Sequence, residues 1–213
     1  MLFLAVFCGF LAEYQLEHKI ERERAKQYIR SFYADLITDT TEFSNLITKF
    51  EASVKGLANR RECYEALKRN IKSDDCLTNL FAHSYRFADL IQADQTLLQL
   101  KNAGGLRLLD KQDADSILLY DKMIRAYLKR ETTGFQERQY KVRDAIYSLA
   151  NYDRKGQINE NKNIPALFSV NKELLNRYFN LLDEYYLIEI EYIDKLKELK
   201  QKAAGLIAYF KNQ

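Results

Sequence analysis

Pro165 is the only proline in this chain of 213 residues, and only seven glycines accompany it. Proline and glycine are the strongest breakers of regular backbone, so a chain this poor in them is committed to long helices. The apolar residues follow the same rule. Ile29, Phe32, Leu36, Phe43, Leu46, Ile47, Phe50, Val54, Leu57, Tyr64, Leu67 and Ile71 recur at steps of mostly three, four or seven. That spacing draws one stripe along a helix. Gly56 and Asn59 bend it, and Ser73, Asp74 and Asp75 supply a stop and a new cap. No strand-like alternation of useful length and no solenoid repeat is present.

Further helices follow from the same pattern. Cys76–Ile91 reads as a short helix breaking near Arg86–Ala93. Asp94 caps a second, Gln95–Asn102, which Gly104–Gly105 ends, because glycine accepts the left-handed conformation beyond a helix C-terminus. Leu106, Leu108 and Leu109 pack back. A long helix then runs from about Lys111 to about Tyr152 on Ile117, Tyr120, Ile124, Tyr127, Leu128, Phe135, Val142, Ile146 and Leu149, with a weak point at Thr132–Gly134. Asn151–Pro165 is the one extended polar stretch and reads as a connector. The last helix, Asn171 to Lys211, carries Tyr178, Leu182, Tyr185, Tyr192, Leu196, Leu199, Ala203, Leu206 and Phe210 at near-heptad spacing. Glu191–Lys195 and Glu198–Lys202 form i,i+4 pairs on it in the favourable order. Its apolar tip, Ala203–Phe210, is expected back at the first helix and at the lipid surface, with Tyr209 and Lys211 as interfacial residues.

The N-terminus fixes placement. Met1–Ala12 is apolar throughout and passes without a turn into the charged stretch Glu13–Arg30. There is no basic residue ahead of His18 and no small-residue cleavage site, so a secretory signal is a poor fit. Leu2, Phe3, Leu4, Val6, Phe7, Phe10 and Leu11 are read as a membrane anchor. At about 1.5 Å per residue, twelve residues cover about 18 Å, against about 30 Å of hydrocarbon. The anchor is therefore expected to be a partial span, or one beginning upstream of Met1. The chain divides into an anchor, 1–14, and a helical domain, 15–213.

The sequence offers no catalytic constellation. Neither His18 nor His83 has a glutamate three residues before it, as a di-iron bundle requires. No His-Glu-x-x-His, Gly-x-Ser-x-Gly or phosphate loop occurs. Thirty-three basic and thirty acidic residues leave a net charge of +3, without the clustered excess that nucleic acid demands. Cys63 and Cys76 flank the turn expected near Ser73–Asp74. Pairing around that turn sets Cys76 opposite a residue near 71, about 12 Å along the helix from Cys63, which is too far for a disulfide. Cys8, Cys63 and Cys76 are therefore read as free thiols.

Residues 94–109, DQTLLQLKNAGGLRLL, resemble a segment of an uncharacterised family of membrane-anchored helical proteins common in Bacteroidetes. Leu97, Leu100, Lys101, Asn102, Gly104, Gly105, Leu106, Arg107 and Leu108 carry the likeness. The family has an N-terminal membrane helix running into a long helix and ends in a helix rich in Leu, Glu and Lys. The resemblance implies placement and no activity. In this segment Gly104, Gly105 and Arg107 are structural turn residues, Arg107 being suited to hydrogen-bond helix C-terminal carbonyls.

These readings combine into an all-α fold, an elongated antiparallel bundle with long coiled-coil-like helices on an N-terminal anchor. The expected function is a non-catalytic scaffold of the bacterial envelope. It would sit in the inner membrane with its helices on the periplasmic side, bound to lipid and to other envelope proteins or copies of itself. Neither a cofactor nor a nucleic-acid partner is expected. The alternative is a sensory ligand-binding bundle acting through a partner protein.

Overall fold

The computed structural model describes residues 2–69, 74–84, 90–149 and 171–211. They form an all-α bundle: α1 (Leu2–Gly56), α2 (Arg60–Lys68), α3 (Asp74–His83), α4 (Gln95–Asn102), α5 (Lys111–Arg130), α6 (Gln136–Leu149) and α7 (Lys172–Phe210). A 3-10 turn, Gly105–Leu108, follows α4, and a π-helical turn, Glu131–Phe135, joins α5 to α6. Among the described residues there is no strand. Ser73, half of the expected break at Arg86–Ala93 and the whole connector Asn151–Pro165 lie outside them.

The helix limits have local causes. The first helix stops at Gly56, and the backbone makes a turn before α2 begins at Arg60. The Asn171 Oδ1 accepts the amides of Glu173 at 2.9 Å and Leu174 at 3.3 Å, an N-cap for α7. The Thr132–Gly134 weak point falls inside the π-helical turn. Buried positions there run 124, 127, 131, 135, 139 and 142, with three consecutive steps of four. That is one residue more than the three-four alternation allows, and the wider π-turn absorbs it.

The chain forms two compact units. The first comprises Met1–Phe43, Ile91–Arg125 and Leu199–Gln213. Phe32 of α1 meets Tyr120 of α5 and Phe210 of α7 edge to face, with centroids 6.1 and 6.0 Å apart. The α7 tip therefore lies against the first helix, as its length suggested. Tyr209 is not a free interfacial residue, since its hydroxyl donates to Asp113 Oδ1 at 2.8 Å.

The second unit comprises Ser44–Leu90 and Ala126–Glu198. Polar pairs give its register: Ser53 with Glu189, Arg60 with Asp183, Tyr64 with Asn176. Numbers rise along α1 and α2 as they fall along α7, so these elements are antiparallel. Arg130 with Glu191 and Arg138 with Glu184 show the same for the α5–α6 run against α7. At its centre Phe135 stacks on Tyr185 and Tyr192, 5.4 and 4.7 Å away, and Phe50 meets Phe135 edge to face.

Two expectations fail here. Cys63 and Cys76 form a disulfide, with Cα atoms 5.8 Å apart. The helix before the expected turn is shorter than its apolar stripe suggested: α2 stops at Lys68, close to the midpoint between the two cysteines. The i,i+4 pairs of α7 are also not used. Glu191 goes to Arg130 at 2.8 Å, and Lys195 turns to Glu198 at 2.7 Å. Exposed ion pairs are worth so little that either partner exchanges readily.

Candidate functional site

The first candidate is the start of α1. Leu2, Phe3 and Leu4 belong to this helix. Val6, Phe7, Phe10 and Leu11 are exposed, Phe10 at 67%. Exposure continues without interruption through Ile20. The large apolar side chains described at the start of this helix are thus largely open to solvent. Cys8, the free thiol, is exposed in the same stretch. No helix among the described residues is long and apolar enough to cross a membrane.

The second candidate is the turn after α4. Gly104 has φ +67°, and a Cβ placed on it would meet nothing within 4 Å. Its constraint is therefore backbone conformation alone. Gly105 is buried, and its constraint is space: a Cβ would lie 3.0 Å from the Tyr28 ring and 3.2 Å from the Leu100 Cα. The expected role of Arg107 is corrected. Among the described residues its exposed guanidinium has no partner, and it is the Arg107 amide that donates to the Gly104 carbonyl at 3.3 Å. The turn closes through its own backbone.

The third candidate was not found by sequence reasoning: buried carboxylates. In the first unit, Asp39 of α1 accepts the Ala93 amide at 2.8 Å and the Tyr120 hydroxyl at 2.7 Å. Asp35 accepts the Thr96 amide at 3.3 Å. Asp35 thereby caps the first turn of α4 from another helix while Asp39 holds the residue ahead of it, and Asp94, the expected cap, makes no side-chain cap bond. Burial pushes the Asp39 carboxyl above its ordinary range; the Ala93 and Tyr120 bonds oppose this, and the charges of Asp35 and Asp94 add to it. Burial, then the Asp39 charge, holds the Tyr120 phenol far above its usual value, so it stays a donor. Asp121 is almost fully buried and is bridged by Lys101 at 2.6 Å and by Arg125.

In the second unit, Glu189 is fully buried and accepts the Ser53 hydroxyl at 2.8 Å. Ser53 also lies 2.8 Å from the His83 carbonyl. Glu131, in the π-turn, accepts the Leu90 amide at 3.3 Å. Burial raises the phenols of Tyr127, Tyr178, Tyr185 and Tyr192, with Glu189 adding to Tyr185 and Glu131 to Tyr127 and Tyr192. These phenols stay protonated at any ordinary pH. The bonds of Asp39 to Ala93 and Tyr120, and of Glu189 to Ser53, run between different elements, so the arrangement ties them together. Among the described residues no group of three or more His, Cys, Asp or Glu is placed to hold a metal.

Compared with models of protein families, with curated proteins and with solved structures, the chain matches none.

Proposed function

We propose that this chain is an envelope scaffold held at a lipid bilayer by the start of α1, and that it performs no catalysis. The observation that carries this reading is the uninterrupted exposure of residues 6–20, Val6, Phe7, Phe10 and Leu11 among them. Apolar side chains left in water forgo about 1.5–3 kcal/mol each. Lipid is a suitable cover because the apolar residues span more than half of the helix circumference, whereas a partner helix would need only a stripe. At about 18 Å, the apolar stretch suits shallow or partial insertion.

The Cys63–Cys76 disulfide supports an oxidising compartment, and hence the periplasmic side for the helices. The likeness of Leu97–Leu108 to the Bacteroidetes family points the same way. The sensory alternative is less favoured because Asp39 and Glu189, the groups that would greet an internal ligand, already bond Tyr120, Ala93 and Ser53.

Fractionation of cells expressing the full chain tests the proposal. The wild type should pellet with membranes, resist a high-salt wash and be released by detergent, whereas Phe7→Glu/Phe10→Glu should be soluble. A wild type that needs no detergent overturns it.

A further inference from the structure

In the first unit, α1, the segment after the 3-10 turn and the α7 tip enclose an open groove of about 840 Å³, within the usual size range of small-molecule sites. Its wall on α1 carries Arg22, Lys26 and Arg30, spaced four residues apart and so aligned on one helix face. Lys211 stands at the α7 end. Lys26 is engaged by Glu23 at 3.2 Å, but among the described residues Arg22, Arg30 and Lys211 have no anionic partner. Two carboxylates share the groove. Asp113 is buried and takes the Tyr209 hydroxyl, which leaves Asp110 as the exposed opposing charge. Four cations against two carboxylates leave a positive excess. The floor is apolar: Ile29, Leu108 and Leu109 are half-buried beside the Phe210 ring.

Each half of this lining selects. A small inorganic anion would leave the apolar floor uncovered, and a neutral apolar molecule would leave three cations unmatched. We propose that the groove binds an acidic amphiphile, a molecule with one anionic head and one acyl chain. The head meets Arg22, Arg30 or Lys211, and the chain lies over Ile29, Leu108, Leu109 and Phe210. A carboxylate and a phosphate head are equivalent for this chemistry. The site does not depend on whether α1 enters a bilayer.

Photolabelling tests this on the full chain in a nonionic detergent. The probe is a 12-carbon carboxylate bearing a mid-chain diazirine. Adducts should map to residues 22–33, 108–110 and 207–211. Excess dodecyl phosphate should remove them, while dodecanol and inorganic phosphate at the same concentration should not. Arg22→Gln/Arg30→Gln should lower the yield at least tenfold with an unchanged melt, as expected for the loss of charge-assisted bonds. Lys211→Gln, at the exposed end of α7, carries the same comparison should the double variant melt early. Equal competition by dodecanol, competition by inorganic phosphate, or undiminished labelling of the variants overturns the proposal. So do adducts confined to residues 2–20, a result that would leave the anchor standing.

Discussion

Removing the Cys63–Cys76 bridge should cost stability by an amount fixed largely by chain length. The two residues are 13 apart. In the chain-entropy account, closing such a loop removes about 10 cal/mol/K from the unfolded ensemble, or about 3 kcal/mol at 25 °C. For a chain of this size, each kcal/mol moves the midpoint by about 2–4 °C. Cys63→Ala/Cys76→Ala should therefore melt about 6–12 °C below the wild type, and a reductant should lower the wild type equally while leaving the variant unmoved. Thiol titration of the unfolded, unreduced protein should find one reactive group, Cys8. Three reactive thiols together with an unchanged midpoint would refute the bridge, and the compartment argument with it.

Other substitutions probe positions where the structure predicts a sign. Gly56→Ala should destabilise although alanine gains about 1 kcal/mol in helix propensity, because the new Cβ would lie 2.2 Å from His83 Cγ and overpacking costs about 1–3 kcal/mol; His83→Ala should restore the gain in denaturant titrations. Gly104→Val should cost about 1–3 kcal/mol through backbone strain alone, while Gly104→Asn costs less; equal midpoints would place the strain elsewhere. Asp39 holds its proton more tightly in the folded state than an ordinary aspartate does at its usual value of 3.8. Its contribution is therefore fullest below that value and is lost as pH rises through the raised folded value. Asp39→Asn should thus gain on the wild type in melts taken from pH 4 to 7, whereas Asp39→Ala, which strips the Ala93 and Tyr120 bonds, should be destabilised throughout.

The helices were legible because the apolar stripe is long and regular. Phe32, Leu36, Phe43, Leu46 and Phe50, and Tyr178, Leu182, Tyr185, Tyr192 and Leu196, are all buried. The buried polar residues were also written in the sequence, as gaps in that stripe. The jump from Leu36 to Phe43 skips Asp39, and the jump from Tyr185 to Tyr192 skips Glu189. Leu128 to Phe135 skips Glu131, and Phe135 to Val142 skips Gln139. Each skipped residue is buried. A polar residue on the core face can be retained where it fixes register, and hydropathy alone treats it as an interruption. The disulfide, the capping of α4 by Asp35 and the bond of Asp39 to Ala93 depend on contacts between different segments, which local spacing does not encode.

Cys8 offers the most direct measurement of the anchor, because it is the free thiol and sits among Val6, Phe7, Phe10 and Leu11. A nitroxide attached there, in the full chain reconstituted into vesicles, reports depth through its collisions with oxygen and with a water-soluble nickel complex. The account predicts strong oxygen and weak nickel collisions, as for a site inside the hydrocarbon. Nickel collisions as frequent as those of a label free in water would contradict it.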